Sequence, residues 1–271
     1  MMRSLWTAAS GMAAQQIQVD TISNNLANVN TTGYKQESVN FKSLLYQNLQ
    51  TDEQIAASNN PTPLQVGHGV RVGTTDRSFS QGTFITTDLV TDMAIQGNGF
   101  FSVLNGEEVT YTRDGSFRLS YIEGGGTALV TSNGYPVLSA EGEPIIFEPD
   151  MNLANFGVDD LGNMYYLDRE TNTTLDLGSL MIVQFANPQG LSALGGNQYG
   201  VTAASGEPLL EGEVDGLVRS TIRTGVLEAS NVNIATEMVN LIVAQRAYEL
   251  NSTSIQTADE MLQQANQLKR L

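Results

Sequence analysis

The chain has 271 residues, of which 41% are hydrophobic and 7% aromatic, so it is long enough to bury a core and to form more than one domain. It contains no cysteine, which excludes disulfides and thiolate chemistry. The formal net charge is −16, and nearly all of it lies between the two terminal segments. This acidity opposes contact with anionic polymers and lipids, so the composition argues against nucleic-acid binding.

Apolar residues recur at every seventh position of the N-terminal segment. The stripe consists of Leu5, Met12, Val19 and Leu26. Only Gln15 interrupts the apolar residues that interleave with it, and the pattern predicts an amphipathic helix of heptad type. Ser4 is predicted to cap this helix, and residues 30–33 (NTTG) are predicted to end it.

The first thirty positions carry only two charged side chains, Arg3 and Asp20. A helix exposed to water normally has a charged outer face, whereas uncharged amides and hydroxyls can be buried between subunits at a lower desolvation cost. The composition therefore favours packing between subunits. Hydroxyl side chains at positions 4, 7 and 10 interrupt any signal-peptide core, so we expect export, if it occurs, to proceed without a cleaved signal peptide.

An extended arm is predicted after the first helix. Residues 34–45 are apolar enough to form a strand or a short helix, and residues 46–63 then change to Gln, Asn, Thr, Ser and Ala. The residues that mark this arm are Tyr46, Gln54, Pro61 and Pro63. Loops of this length are unusual in a compact domain and indicate either binding or disorder.

Short apolar segments separated by turn residues fill the middle of the chain. The predicted strands lie at 70–72, 84–85, 93–95, 100–104, 109–111, 117–119, 129–130, 145–147, 165–167 and 180–185, and the predicted turns lie at 98–99, 114–115, 133–134, 141–142 and 161–163. Alternation of this kind predicts a mainly antiparallel β region from residue 64 to about residue 223.

The longest heptad pattern lies at the C-terminal end. The stripe consists of Leu227, Ile234, Leu241, Tyr248, Ile255 and Leu262. Residues 230–271 lack Gly and Pro, and a helix of this length extends roughly 50–60 Å, more than a compact domain of this size covers. Asn233 is the predicted N-cap, and Glu237 suits the positive end of the helix dipole.

The two terminal segments are therefore predicted to pair as one coiled-coil-like element with the remainder inserted between them, which gives an α+β fold. The expected divisions are 1–33 for the N-terminal helix, 34–75 for a connecting domain that includes the arm, 76–224 for an outer β domain and 225–271 for the C-terminal helix. A helical hairpin beside a β domain, with no role in assembly, remains an alternative interpretation.

Nothing in the sequence supports an enzyme, a cofactor or a metal site. His68 is the only histidine, which excludes a multi-histidine metal site, and a single loop histidine is usually structural. The neighbouring acids at 107–108 and 159–160 would point to opposite faces of a strand, so they do not form a glycosidase pair. Gly97 and Gly99 lack the third glycine of a nucleotide-binding fingerprint and predict a hairpin turn.

Several motifs resemble those of the rod and hook proteins of the bacterial flagellum. They are SNNLANVNTTGYK at 23–35, GNGFF at 97–101, YTRDGSF at 111–117, LEASNVN at 227–233, EMVNLI at 237–242 and QRAYE at 245–249. They occur in family order at both ends and in the middle of the chain, and the C-terminal run is most similar to that of the distal rod members. The sequence departs from the family around residues 120–128, where IEGGG replaces a short polar turn.

The resemblance implies a structural subunit that polymerises into a rigid helical tube and transmits motor torque to the hook. Its implied partners are further copies of itself, proximal rod proteins, the hook protein, the surrounding ring proteins and the flagellar export apparatus. It implies a location in the basal body outside the cytoplasm. The two heptad stripes would form the assembly interface, and the arm would stiffen the polymer. A hook or proximal rod protein is one alternative, and a carbohydrate-binding β domain on a helical stalk is another.

Overall fold

The computed structural model describes residues 2–49, 65–106, 108–122, 126–147, 156–168, 173–212 and 216–268. The chain divides into two compact units, which we call the helical unit and the β unit. The helical unit comprises Met1–Ala27, Glu37–Arg77 and Asn233–Leu271, and the β unit comprises Asn28–Gln36 and Ser78–Val232. The predicted α+β class is confirmed, because the two terminal helices contact each other and the strands between them pair antiparallel.

Two long helices, α1 (Met2–Ala27) and α2 (Ile234–Leu268), form the main part of the helical unit. The predicted N-cap Asn233 is confirmed, since its Oδ1 accepts a hydrogen bond from the backbone N–H of Thr236 at 3.2 Å. The predicted cap Ser4 is wrong, because α1 has already begun and Ser4 lies within its first turns. The extension of the C-terminal stripe to Leu227 is also wrong, because this residue belongs to a strand that pairs with Ile85.

A two-stranded antiparallel ribbon follows α1 in the sequence and completes the helical unit. Strand β1 (Glu37–Ser43) pairs with β4 (Val70–Arg77), and β2 (Tyr46–Asn48) pairs with β3 (Gln65–Gly67). The backbone N–H of Leu44 donates to the carbonyl of Gly69 at 2.9 Å, which joins the two strand pairs into one ribbon. Residues 34–45, for which the sequence allowed a strand or a short helix, thus contain a strand.

The ribbon lies along α1. The Asn25 side chain bonds to the backbone of Glu37 near one end of α1, and the Arg3 guanidinium donates to Oε1 of Gln47 at 2.9 Å near the other. Between them, the backbone N–H of Val70 donates to the Ser10 hydroxyl. A register shift between Asn40 and Phe41 bulges the ribbon.

The β unit contains the remaining strands. They are β5 (Phe84–Thr86), β6 (Met93–Gln96), β7 (Phe100–Asn105), β8 (Glu108–Thr112), β9 (Arg118–Ile122), β10 (Gly126–Val130), β11 (Ile146–Phe147), β12 (Phe156–Val158), β13 (Asn163–Asp168), β14 (Thr173–Ser179), β15 (Ile182–Gln184), β16 (Ser192–Gly195), β17 (Gln198–Gly200), β18 (Leu209–Leu210), β19 (Thr221–Thr224) and β20 (Val226–Glu228). The largest sheet has the order β16-β17-β8-β7-β15-β18, and β9–β11 and β12–β14 form three-stranded sheets. Strand β19 pairs with β6, and β20 pairs with β5.

Two hydrophobic clusters fill the β unit, and strand β7 contributes to both. Successive side chains of a strand point to opposite faces, so Phe100 and Phe101 enter different clusters. Phe101 meets Phe117 edge to face, with ring centroids 5.0 Å apart, and Phe100 meets Phe185 in the same manner at 5.6 Å. Edge-to-face contacts of this kind are a favoured geometry of buried aromatic pairs.

The predicted turns have mixed outcomes. Those at 133–134, 141–142 and 161–163 are confirmed by backbone hydrogen bonds that close them. The hairpin predicted at Asn98-Gly99 is wrong, because β6 and β7 do not pair with each other but with β19 and with β8 and β15. The turn at Asp114-Gly115 likewise does not close a hairpin, since β9 pairs with β10.

Candidate assembly interface

Small side chains form the centre of the contact between α1 and α2. Ala8 and Ala14 on α1, and Ala244 and Ala258 on α2, are buried, as is Ile22. A β carbon added at Gly11 would lie 2.9 Å from Nδ2 of Asn251, so the helices approach closely at this point. Ala8, Ile22, Ala244 and Ala258 each lie three positions after a residue of a heptad stripe.

The stripe residues themselves flank this seam. Leu5, Met12, Val19, Leu26, Leu241, Ile255 and Leu262 are half-buried. Ile234 and Tyr248 remain exposed, at 48% and 41% of their full accessible surface. The structure therefore brings the two predicted stripes to the helix pair within one chain and leaves part of each side chain accessible.

A second apolar surface lies on the opposite side of α2, and only its member Met238 follows from the heptad pattern of the sequence. Its members are Met238, Val239, Ile242 and Val243, which are 52%, 59%, 57% and 61% exposed. We call these four residues the α2 outer face. A signal for it was available, because six of the seven residues from 238 to 244 are apolar, more than one face of a helix can bury.

A polar contact fixes the base of the helix pair to the ribbon. Asn25 and Glu237 are 1% and 2% exposed, and Nδ2 of Asn25 donates to Oε2 of Glu237 at 3.1 Å. The same amide donates to the carbonyl of Glu37 at 2.8 Å and accepts from its N–H at 3.0 Å. Asn240 also donates to the Glu237 carboxylate. One asparagine thus joins α1, β1 and α2.

A buried cluster of charges occupies the β unit. Oε1 of Glu228 accepts from Nζ of Lys35 at 2.7 Å and from the N–H of Gly82 at 2.9 Å, and Oε2 of Glu228 lies 3.5 Å from Nη1 of Arg113. All three charged side chains are at most 1% exposed. Lys35 also donates to the carbonyl of Ser80 at 2.9 Å. We call Lys35, Arg113 and Glu228 the charge triad.

The surroundings of the triad set its electrostatics. Burial lowers the pKa of Lys35 below its usual 10.5, and the attraction of Glu228 opposes this shift only in part. Burial likewise lowers the pKa of Arg113. The Arg113 guanidinium donates to the carbonyl of Gly97 at 2.8 Å and lies 4.9 Å from the centre of the Phe100 ring. Glu228 is therefore the carboxylate that contacts both cations of this buried site.

The segment between α1 and the ribbon docks closely within the β unit. The Thr32 hydroxyl donates to Oδ1 of Asp114 at 2.9 Å, and Nδ2 of Asn197 donates to the carbonyl of Thr32 at 2.7 Å. Gly33 has φ +66°, and its N–H donates to the carbonyl of Glu228 at 2.8 Å. The motifs at 23–35, 111–117 and 227–233 therefore meet, although they lie far apart in the sequence.

The predicted arm is described only where it begins. Tyr46 is the first residue of β2 and is 61% exposed. The segment 46–63 therefore begins as a strand and not as an irregular loop. Gln54, Pro61 and Pro63 lie outside the described residues. Within the described parts of the chain, neither helix is long and apolar enough to cross a membrane, and no group of acidic and histidine side chains could hold a metal ion.

Three family models match separate parts of the chain. Residues 5–35 match flagella basal body rod proteins, residues 94–166 match the D1 domain of the flagellar hook proteins FlgE/F/G, and residues 223–268 match the C-terminal region of flagellar basal body rod FlgEFG proteins. Each half of the Asn25–Glu237 contact, and each member of the charge triad, lies in a matched region.

Individual relatives match over the full length. The flagellar basal-body rod protein FlgG of Borreliella burgdorferi is 47% identical over 278 residues, which cover all of both chains. FlgG of Bacillus subtilis is 37% identical over 271 residues, again covering all of both chains, and FlgG of Caulobacter vibrioides is 40% identical over 273 residues, 99% of this chain and all of the relative. The chain belongs to the FlgG family.

Membership of the FlgG family makes the protein a structural subunit of the distal rod of the flagellar basal body, and not an enzyme. This decides between the alternatives that the sequence left open, including the carbohydrate-binding domain. It also relates the polar contacts described above to the family motifs. The motifs by which the chain resembles rod and hook proteins supply Asn25, Lys35, Arg113, Glu228 and Glu237, which hold each unit together internally.

Proposed function

We propose that copies of the chain polymerise through their helices into a rigid helical tube that transmits motor torque to the hook. The α2 outer face carries this proposal. Residues 238–244 make α2 apolar on nearly all sides at this point, such a helix segment is stable where all sides are packed, and a single copy covers one side of it with α1. In a rod built from many copies of one subunit, the most abundant partner for this exposed face is another copy of the chain.

The residues predicted from the heptads have a part in this proposal. Ile234 and Tyr248 are exposed and would contact a neighbouring copy directly. The half-buried members would support the interface by holding α1 against α2, with their remaining surface contributing at its edge. We assign the assembly interface to the two stripes and the stiffening of the tube to the arm at residues 46–63. The four-part division predicted from the sequence is retained as the organisation of the assembled subunit.

The implied partners beyond further copies are the proximal rod proteins, the hook protein, the surrounding ring proteins and the flagellar export apparatus. We propose that the chain acts outside the cytoplasm in the cell envelope and reaches this location through the flagellar export route. The family membership supports the partners as a class.

The direct test replaces apolar residues of the α2 outer face by acids. We expect Val239→Asp with Ile242→Asp to reduce the number of rods at least about tenfold, because each carboxylate would have to be desolvated at the interface. The measurement is the count of rods in isolated basal bodies by electron microscopy, in cells that make only the variant. The matched control is Gln256→Asp, a charge at another exposed position of α2. Normal rod numbers in the double variant would refute the proposal.

A further inference from the structure

Two like charges face each other across the ribbon. Lys42 and Arg71 are direct partners in the pairing of β1 with β4, so their side chains lie on the same face. Both are exposed, and the Lys42 side chain lies across Gly73, where an added β carbon would be 3.0 Å from its Cγ. Like charges at directly paired positions destabilise a ribbon. This pair is therefore unfavourable within an isolated copy.

The carboxylates of the ribbon do not neutralise the pair. Glu37 forms an ion pair with Arg77 at 3.7 Å, and Asp76 accepts from the side chain of Asn40 and, through its backbone, from Ser38. These contacts lie at the end of the ribbon that is farther from Lys42. Among the described residues, neither Lys42 nor Arg71 has an ion-pair partner. The ribbon thus presents a compact positive surface, which we call the cation pair.

The helix pair of the same unit carries the opposite charge. An open groove of about 450 Å³ lies between α1 and α2 and is lined by Gln16, Val19, Asp20, Gln245, Tyr248 and Glu249. Glu249 forms an ion pair with the exposed Arg246 at 2.8 Å. Asp20 has no ion-pair partner among the described residues. The groove therefore combines an apolar floor, two amides and two carboxylates.

We propose that the cation pair of one copy docks into this groove on a second copy. The inference rests on the proposed polymerisation and adds the two surfaces that meet. Two cations face two carboxylates, and the Arg71 guanidinium suits a carboxylate because it can donate two parallel hydrogen bonds. The ribbon and the groove are different surfaces of the same unit. A contact between them is heterologous, and it extends a filament with free surfaces at both ends when its rotation does not close a ring.

Charge exchange tests the contact. The variant Lys42→Glu with Arg71→Glu retains a like-charge pair across the ribbon, so the folded copy is expected to keep its stability while the sign of the surface reverses. We expect this variant to give at least about tenfold fewer rods, and Asp20→Lys with Glu249→Lys to do the same. The four changes together are expected to restore assembly. The control Lys42→Arg with Arg71→Lys keeps both charges and is expected to assemble normally.

A covalent test identifies the partner, because the natural chain has no cysteine. Asn40 lies on the same face as Lys42, so a chain with both Asn40→Cys and Gln16→Cys is expected to give a ladder of disulfide-linked multimers in mild oxidant. A chain with Asn40→Cys alone is expected to stay monomeric on the same gel. Absence of a ladder in the doubly substituted chain would overturn the inference.

The outcomes separate this inference from the proposed function. Rods that form normally with the reversed cation pair overturn the docking contact, even if the α2 outer face variants fail to assemble. Loss of rods that the fourfold exchange does not restore also overturns it, because the cation pair would then bind an anionic component other than a second copy. Normal assembly of the α2 outer face variants would refute the proposed function instead.

Discussion

The two units of the chain complete their interiors to different degrees. The β unit buries Phe100, Phe101 and Phe117 entirely, and its aromatic rings meet edge to face. The helical unit buries mainly alanines at its seam, while Val239 and Ile242 remain more than half exposed. A unit with a filled core is stable as one copy, whereas a helix with uncovered apolar sides gains stability from further contacts.

Charge separates the units in the same way. Most of the acidic side chains belong to the β unit, which also buries the charge triad. The helical unit is close to neutral, with nine acidic and seven basic side chains, and the cation pair on its ribbon lacks an acidic partner among the described residues. The β unit thus packs its apolar groups and pairs its buried charges internally, whereas the helical unit leaves apolar surface and a cation pair for a neighbour. The following predictions test this difference.

The largest effect is expected at the centre of the charge triad. Glu228→Gln leaves the buried Lys35 and Arg113 without a carboxylate, so we expect the free energy of unfolding to fall by about 3–5 kcal/mol. Chemical denaturation followed by the near-ultraviolet circular dichroism of the tyrosines measures it. Glu207→Gln, at an exposed position of the same unit, is the control and should change little. A loss below about 1 kcal/mol would mean that the triad is not a main support of the β unit.

A second test concerns the docking of the segment before the ribbon. Gly33 has φ +66°, and an added β carbon would lie 2.6 Å from the backbone nitrogen of Asp114. Gly134 has φ +87° with no atom within 4 Å of such a carbon. We expect Gly33→Ala to cost about 2–4 kcal/mol and Gly134→Ala about 1 kcal/mol, since only the first adds a steric clash to the conformational strain. Equal losses in thermal unfolding would show that the Gly33 segment moves freely.

A smaller effect is expected in the helical unit. Asn25→Ala removes the amide that bonds to Glu37 and Glu237, and we expect it to lower the free energy of unfolding by about 2 kcal/mol. Far-ultraviolet circular dichroism, which follows the helices, is the measurement. Ser23→Ala is matched to it, because Ser23 is exposed and bonds only within its own helix. If the Asn25 variant were as stable as the Ser23 variant, the Asn25 contact would not be what links α1, β1 and α2.

The smallest effect is a dependence on pH. Because burial lowers the pKa of Lys35 in the folded chain, the unfolded chain binds more protons between that pKa and 10.5. The contribution of Lys35 to the free energy of unfolding therefore rises with pH in this interval, by about 1.4 kcal/mol for each unit of pKa difference. Denaturation at several pH values should show that the free energy of unfolding of the wild type rises more steeply with pH than that of Lys35→Met. Burial raises the pKa of Tyr111 above 10.0 and has the opposite effect, so measurements should stay below that pH.

The helices were predictable because their information is local. Heptad spacing located α1 and α2, and Asn233 marked the start of α2 through a bond to the nearby Thr236. The extension to Leu227 failed because a leucine at a seven-residue spacing also suits a strand, and the pairing of β20 with β5 decided the outcome. The failure of Ser4 as a cap has a similar origin, since helix propensity continues through the residues before it.

The contacts that organise the β unit could not be predicted, because their partners are distant in sequence. Nothing local to Lys35 indicates that Glu228 will neutralise it. Asn98-Gly99 suits a hairpin, but β6 and β7 each find partners elsewhere. The α2 outer face could have been found from composition alone, whereas the seam between the helices required knowing which side of α2 meets α1.

The charge triad also imposes an order on folding. Its anion belongs to β20, whose partner β5 precedes it by about 140 residues of chain, and Gly33 and Lys35 are bound by the same residue. Contacts of such high sequence separation form late and slowly. A chain that emerges with its N-terminus first therefore has no carboxylate for Lys35 and Arg113 until Glu228 follows. The last part of the β unit to appear is the part that closes it, so the triad can form only after the residues of both hydrophobic clusters are present.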